Sequence, residues 1–195
     1  MNLKLFNEFM QKGQRPSQNT SEWQMFLEIC EMRLKKKGIE NPMAVELGIW
    51  KNRQKKFYEK LLGTEHISID LTDRRGTPDI IGDTHDPEVK AALEEKLNGK
   101  PINILFIDAG HSYEDVKKDF YMYSPLCTDI IAFHDIECHR FGGRSDMKVW
   151  RFWDELRMKA YMGRRSYKKF LFISIFQYRG SGNRHQMGIG LMIRQ

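Results

Sequence analysis

The 195-residue sequence predicts a single α/β domain in which a mostly parallel sheet is covered by helices on both faces. Short, almost continuously apolar runs alternate with segments of helical period, as expected for strands buried on both sides. The last two apolar runs are separated by only a short polar loop, residues 179–185, which suits an antiparallel pair and not a helical crossover. We therefore expect seven strands, of which the C-terminal strand is antiparallel.

Residues 1–40 are predicted to form a helical segment that packs on a domain comprising residues 41–195. A buried helix face is indicated by apolar residues at helical spacing, namely Trp23, Phe26, Leu27, Cys30 and Leu34. We expect Ser21 to cap this helix, with Gln24 as its capping-box partner. Three lysines followed by Gly38 are typical of a helix C-terminus and predict its end there.

The remaining sequence alternates between strand-like and helix-like runs. The predicted strands are residues 44–48, 66–70, 79–82, 102–107, 129–133, 170–178 and 187–193. The predicted helices are residues 52–62, 87–99, 113–123 and 147–162. Pro87 in a first turn, after Asp86 as a cap, marks the start of the second of these helices. Residues 137–146, with two adjacent glycines, are predicted to form a flap over the site, with an ordinary surface loop as the alternative.

The composition argues against several classes of protein. No apolar run approaches the roughly 20 residues that span a bilayer, and Glu8 interrupts the stretch where a signal peptide would be apolar. We expect a cytoplasmic protein without a membrane partner. Cys30, Cys127 and Cys138 lack CxxC spacing, which predicts reduced thiols. The net charge of +6 is interpreted as a solvated basic surface, because no RNA-binding aromatic signature accompanies it.

Polar residues and glycines follow the first five predicted strands. In chain order they are Glu46 and Gly48, Asp70, Gly82 and Asp83, Asp108 with His111, and His134 with Asp135. Ligands of open parallel sheets bind beyond the carboxyl ends of the strands. An acid at the end of the second strand can accept both hydroxyls of a ribose, and a glycine after the first allows close approach of the backbone to the ligand.

The ends of the fourth and fifth strands predict a metal site. Because these strands are expected to be neighbours, Asp108, His134 and Asp135 can meet around a divalent cation that polarises a substrate hydroxyl. His111 is placed to take the released proton. A nitrogen ligand suits Mn, Fe, Ni or Zn better than Mg. The sequence leaves open whether His134 faces the metal or points away, and each residue alone also fits a structural role.

Residues 104–119 and 130–136 resemble a motif of the class I S-adenosylmethionine-dependent methyltransferases. The nearest branch contains cephalosporin hydroxylase-like proteins, rhamnosyl O-methyltransferases and macrolide sugar O-methyltransferases. Residues 149–156 and 187–191 are similar to the same branch, and Gln18 matches a glutamine often found ahead of its first helix. The resemblance covers about residues 18–194 and is specific only in the motif.

The resemblance implies a Rossmann-like class I methyltransferase fold with Asp108 and His111 as catalytic residues. It implies an S-adenosylmethionine site formed by Glu46, Gly48, Asp70, Leu71, Gly82, Asp83 and Asp108. A divalent metal, Mg or Mn before Fe, Ni or Zn, would lie at Asp108 and Asp135 with His134. The acceptor would be a hydroxyl of a sugar or other small molecule. A homo-oligomer is a further expectation for partners.

The sequence departs from the branch in three places. Residues 49–54 replace the further glycines of the first loop and put Arg53 where the amino-acid end of the cofactor should lie. His134 stands where the branch has an acid, and residues 71–78 are short for the usual helix. Two alternatives therefore remain open, a non-catalytic binding or scaffold protein with a degenerate cofactor loop, and a nucleic-acid ribose methyltransferase.

Overall fold

A computed structural model describes residues 1–140, 144, 146–177 and 187–195. The strands are β1 (Met43–Leu47), β2 (Glu65–Asp70), β3 (Ile80–Ile81), β4 (Ile102–Ile107), β5 (Cys127–His134), β6 (Phe170–Ile175) and β7 (Ile189–Arg194). They form one sheet in the order β3-β2-β1-β4-β5-β7-β6. Only β7 runs antiparallel to its neighbours, β5 and β6. The predicted mostly parallel seven-stranded sheet with an antiparallel C-terminal strand is confirmed.

Helices cover both faces of the sheet, as predicted. They are α1 (Leu3–Gln11), α2 (Thr20–Lys37), α3 (Lys55–Phe57) with a π-helical turn at Tyr58–Leu62, α4 (Pro87–Leu97), α5 (Tyr113–Tyr123) and α6 (Val149–Tyr161). One apolar core lies between the sheet and α4, α5 and α6, and the other between the sheet and α1, α2 and α3. None of the described helices is both long enough and apolar enough to cross a membrane.

Helix α2 begins one residue earlier than its predicted cap. Asn19, not Ser21, is the N-cap, since its Oδ1 accepts hydrogen bonds from the backbone N–H groups of Ser21 and Glu22. Glu22 is buried and accepts from the backbone N–H groups of Gln177 and Gly188, so it ties the helix to the last two strands. The helix ends at Lys37, and Gly38 adopts a left-handed backbone with φ 60°, as predicted.

Several predicted boundaries were wrong in ways that shape the site. The helix predicted from residue 52 begins only at Lys55, because Trp50 and Asn52 take left-handed backbone conformations that extend the preceding loop. The third strand has only two residues, and the Asp79 side chain, just before it, accepts a hydrogen bond from the backbone N–H of Ser68. Strand β6 ends at Ile175, and the loop predicted at residues 179–185 lies outside the described residues.

Candidate functional site

A cavity of about 680 Å³ opens at the carboxyl ends of the parallel strands. It is lined by nine of the ten predicted site residues, namely Gly48, Asp70, Leu71, Gly82, Asp83, Asp108, His111, His134 and Asp135. The parallel pairings β2-β1-β4-β5 place these strand ends side by side. The structure therefore brings together residues that are spread over 88 positions of the sequence, from 48 to 135.

Glu46 is the predicted site residue that does not line the cavity. Its side chain is fully buried on β1, with Oε2 3.3 Å from Nε2 of His66 on β2. Burial raises the pKa of Glu46, and the neighbouring His66 opposes that rise. Glu46 therefore lies behind the cavity wall, where it contacts a buried histidine.

Gly48 joins β1 to the cavity at a point where no larger residue fits. Its φ is 80°, and a Cβ atom there would lie 2.3 Å from the backbone oxygen of Asp108. This position needs glycine both for the left-handed backbone and for the close approach to β4. The close approach in the structure is to the backbone at the end of β4, and the predicted approach of Gly48 to a ligand stays a prediction.

Asp70 organises the loop that follows β1. Its Oδ2 accepts hydrogen bonds from the backbone N–H groups of Ile49 and Trp50, at 2.9 and 3.2 Å. Its Oδ1 accepts from the N–H of Thr72 at 3.3 Å. The carboxylate thus fixes the loops after both β1 and β2 while it lines the cavity.

The loop after β1 leaves the cavity accessible. Asn52 has the left-handed backbone expected of it, with φ 48°. Arg53, which we expected to intrude on the cofactor site, has an exposed side chain and is absent from the cavity wall. Trp50 lines the wall instead.

Four titratable side chains meet where β4 and β5 end. Nδ1 of His134 lies 3.0 Å from Oδ1 of Asp108 and 3.5 Å from Oδ1 of Asp135. Nε2 of His111 lies 3.1 Å from Oδ2 of Asp135 and 3.7 Å from Oδ1 of Asp108. The two carboxylates and two imidazoles therefore alternate in one cluster.

The cluster strongly perturbs the pKa values of its members. Burial opposes ionisation of Asp108, but the charge of His134 and hydrogen bonds from both histidines lower its pKa to about 2. Hydrogen bonds to Asp108 and Asp135 raise the pKa of His111 to about 10. Burial lowers the pKa of His134, but the two carboxylates outweigh it and raise that pKa to about 9. Clefts with such perturbed groups are typical of functional sites.

Three of these side chains have the geometry of a metal site. Ligand atoms of Asp108, His111 and Asp135 all lie within 4.8 Å of one another. Asp135 is held there by a left-handed backbone, φ 61°, which aspartate tolerates better than most residues. Nδ1 of His134 faces Asp108, and its Nε2 is buried with no partner among the described residues.

Two glutamines complete the cluster from outside the sheet. Nε2 of Gln18 donates to Oδ2 of Asp108 at 3.0 Å, and Nε2 of Gln54 donates to Oε1 of Gln18 at 2.6 Å. Both glutamines are buried. The resemblance pointed to Gln18, whereas sequence reasoning missed Gln54 because residue 54 was placed within a helix and no local pattern marks a contact with residue 18. Of the predicted flap, residues 141–143 and 145 lie outside the described residues, and none of its described residues lines the cavity.

Comparisons with known proteins identify the fold. No protein-family model matches the sequence. A curated relative, the uncharacterized protein y4gI of Sinorhizobium fredii, is 35% identical over 69 residues, which are 33% of this chain and 7% of that protein. The match therefore covers only a small part of a much longer protein.

Solved structures match most of the chain at low identity. The mycinamycin-pathway methyltransferase MycE, in complex with Mg, S-adenosylhomocysteine and mycinamycin VI, has a TM-score of 0.57 at 14% identity, covering 84% of this chain and 48% of MycE. An O-methyltransferase of Bacillus cereus in complex with S-adenosylhomocysteine has a TM-score of 0.58 at 13% identity, covering 99% of this chain and 90% of that one.

The O-methyltransferase TomG of Streptomyces achromogenes, in complex with S-adenosylmethionine, also has a TM-score of 0.58 at 13% identity, with coverage of 92% and 82%. This chain spans about half the length of MycE but most of the other two proteins. Together with the strand order, these matches show that the chain has the Rossmann-like fold of the class I methyltransferases.

Proposed function

We propose that the protein is an S-adenosylmethionine-dependent, divalent-metal-assisted O-methyltransferase that acts on a hydroxyl of a sugar or other small molecule. The observation that carries this proposal is the meeting of Asp108, His111 and Asp135 on the wall of a cavity that Gly48 and Asp70 also line. One side of the cavity thus offers a nucleotide-type site, and the other offers an acid–base and metal-ligand cluster.

The residues fit the proposed methyl donor. Gly48 presents backbone without a side chain, and Asp70 supplies a carboxylate beside it, with Leu71, Gly82 and Asp83 along the same wall. When bound, S-adenosylmethionine supplies a methyl group on a positively charged sulfur, and the S–C bond breaks as the new O–C bond forms. Similar folds with this donor or its product bound support the assignment.

The residues also fit a divalent cation. Asp108 and Asp135 would hold it through carboxylate oxygens, and His134 is the third ligand that the sequence predicts. In the structure the nitrogen that meets both carboxylates is that of His111, so His111 is the alternative third ligand. When bound, the cation would polarise the acceptor hydroxyl and lower its pKa. The Mg in the MycE complex supports a divalent metal in a protein of this fold, and the nitrogen of His134 would favour Mn over Mg here.

His111 is the proposed base. Its side chain is 38% exposed, so it can meet a substrate in the cavity. In the absence of another cation, Asp108 and Asp135 hold a proton on His111 and keep it from acting as a base. Once the two carboxylates are neutralised by a different positive charge, His111 can release that proton and then accept one from the acceptor hydroxyl.

Calorimetric titration with S-adenosylhomocysteine, in the presence and absence of Mn, tests the donor and metal sites. We expect binding of both, and Asp108→Asn is expected to weaken Mn binding at least about tenfold. His111→Gln should abolish methyl transfer without lowering Mn affinity, because a base that gives up its proton when the cation binds is not a metal ligand. Failure to bind the donor product in the presence of Mn would favour the non-catalytic alternative. Loss of Mn affinity in His111→Gln would instead make His111 a ligand.

A further inference from the structure

His85 lines the cavity but was not among the residues that the sequence predicts for the site. It lies in the loop between β3 and α4, and its side chain is 19% exposed. The backbone around it is held in place by two hydrogen bonds. Oδ1 of Asp83 accepts from the N–H of His85 at 2.9 Å, and the Tyr123 hydroxyl donates to the Thr84 carbonyl at 2.8 Å. A well-fixed loop therefore presents the imidazole of His85 to the cavity.

Two oxygens on α5 determine which nitrogen of His85 carries the proton. Nε2 of His85 lies 3.2 Å from the carbonyl oxygen of Asp115 and 3.3 Å from Oδ1 of Asp119. Burial raises the pKa of Asp119 to about 6, so its carboxylate is ionised at pH 8. Neither a carbonyl nor a carboxylate can donate a hydrogen bond, so Nε2 is the protonated nitrogen of the ring.

The other ring nitrogen of His85 is left as a hydrogen-bond acceptor. In the neutral imidazole with its proton on Nε2, Nδ1 carries a lone pair. Nδ1 lies 3.9 Å from Oδ1 of Asp83, which is beyond hydrogen-bond distance, and it has no hydrogen bond to any residue that the structure describes. A ligand that contacts this nitrogen must therefore bring an N–H or O–H group.

The position of His85 along the sheet edge determines which end of the methyl donor it can contact. The strand order places the end of β3 first, followed by Asp70 after β2, Gly48 after β1 and Asp108 after β4. In the proposed function the reacting methyl group lies toward Asp108, and the ribose hydroxyls lie at Asp70. The nucleobase then extends beyond Asp70 toward the end of β3, where His85 lines the cavity.

We propose that His85 determines the specificity for the base of the methyl donor, with Nδ1 accepting a hydrogen bond from the 6-amino group of adenine. Asp119 is the positioning residue, because its carboxylate holds the proton of His85 on Nε2. This inference rests on the proposed function and adds a residue to its donor site. A base with a 6-oxo group would present oxygen lone pairs to Nδ1 in place of the N–H, and the contact would be repulsive.

Calorimetric titration of the full chain at pH 8 with Mn present tests the proposal. The two probes are S-adenosylhomocysteine and its 6-oxo analogue, S-inosylhomocysteine. We expect S-adenosylhomocysteine to bind at least about tenfold more tightly. His85→Phe keeps a ring but removes Nδ1, so it should bring the two affinities to within about threefold. The control is His139→Asn, which removes a histidine that does not line the cavity, at a left-handed position that asparagine tolerates, and it should keep the preference.

NMR of the histidine ring nitrogens reads the tautomer of His85 without any ligand. The signals of His85 are assigned by their loss in His85→Phe, and in the free protein at pH 8 they should show the proton on Nε2. Addition of S-adenosylhomocysteine should shift the Nδ1 signal, because that nitrogen then accepts a hydrogen bond. Asp119→Asn offers an amide N–H to Nε2, so it should increase the fraction protonated on Nδ1 and lower the preference for S-adenosylhomocysteine at least about threefold.

Three results would overturn the role of His85. They are a proton on Nδ1 in the free protein, equal affinities of the unaltered chain for the two probes, and an unchanged preference in His85→Phe. Each of them leaves the proposed function intact, because S-adenosylhomocysteine still binds. Absence of S-adenosylhomocysteine binding to the unaltered chain would instead overturn the proposed function, and this inference with it.

Discussion

Gln54 donates a hydrogen bond from Nε2 to Oε1 of Gln18 across 2.6 Å, and this contact sets the orientation of an amide at the cavity wall. With its oxygen occupied, Gln18 presents Nε2 to Oδ2 of Asp108 at 3.0 Å. The Asp108 carboxylate is then held between Gln18 on one oxygen and His134 on the other. A residue in the loop after β1 thus acts on the cluster through an intermediate side chain.

Gln54→Glu is expected to reverse this amide. A carboxylate at position 54 accepts from Gln18, which then turns its oxygen toward Asp108 and repels it. We expect Mn affinity to fall about tenfold while S-adenosylhomocysteine affinity is retained, as measured by calorimetry. Gln11→Glu, an exposed change of the same kind, is the matched control. Equal Mn affinities for the two variants would contradict the positioning role of Gln54.

His134→Asp is expected to change the metal preference of the site. A carboxylate replaces a nitrogen donor, which favours Mg relative to Mn. The ratio of Mn to Mg affinity should fall by about tenfold, the scale on which changes around a metal site act. Calorimetry with both ions measures it. An unchanged ratio would show that His134 orients Asp108 without contacting the metal.

Mn binding is expected to release protons. Asp108 and Asp135 raise the pKa of His111 to about 10 in the metal-free protein, so at pH 7 this histidine carries a proton that a cation on the same carboxylates displaces. Affinity should therefore rise with pH between 6 and 9, by up to about tenfold per pH unit for each proton released. Titrations in buffers of different ionisation enthalpy count the protons. A pH-independent affinity in this range would contradict the coupling.

Asp119→Asn is expected to stabilise the protein at neutral pH. Asp119 is buried on α5, and burial raises its pKa to about 6, even though His85 lies 3.3 Å away. Because the folded pKa exceeds the unfolded value, the contribution of this group to stability is full below about pH 4 and is lost as pH rises through 6. Urea unfolding at pH 8 should show a gain of about 2–3 kcal/mol that disappears by pH 4. Asp73→Asn, at an exposed position, should show no such difference.

Gly190→Ala is expected to destabilise the fold. A Cβ atom at this position of β7 would lie 2.8 Å from the Trp153 ring, which is buried and donates from Nε1 to Ser174 Oγ at 3.0 Å. Overpacking of this kind costs about 1–3 kcal/mol. Ser174→Ala removes only the hydrogen bond and should cost about 1 kcal/mol. Denaturant unfolding measures the free energy of unfolding of both variants. A smaller decrease for Gly190→Ala than for Ser174→Ala would contradict the packing argument.

The features that the sequence predicts well are those that follow from hydrophobic periodicity and from the order of the strands in the sheet. Asp108 and Asp135 end apolar runs that had to lie in a parallel sheet, and neighbouring parallel strands end at one edge. Their proximity follows from that geometry alone. Asp70 was likewise placed correctly on the cavity wall, although its bonds to the loop N–H groups were not foreseen.

The parts that sequence reasoning missed depend on long-range side-chain contacts or on a few backbone angles. Gln18 meets Asp108 across 90 positions, and nothing local to either residue marks the pair. The π-helical turn at Tyr58–Leu62 has the same apolar spacing as an α-helical turn, so its pattern predicts only a helix. Trp50 adopts a left-handed backbone conformation, which is uncommon for tryptophan and which the sequence therefore does not suggest.

The position of β7 between β5 and β6 has a consequence for synthesis of the chain. Strand β6 emerges from the ribosome before β7, yet β7 is its only partner among the described strands. Strand β5 likewise keeps an unpaired edge until residues 189–194 are made. The apolar segment of residues 170–175 therefore stays unpaired in the nascent chain until its partner strand has been synthesised. Chaperone dependence and aggregation of stalled translation products are expected to depend on the interval between completion of β6 and arrival of β7.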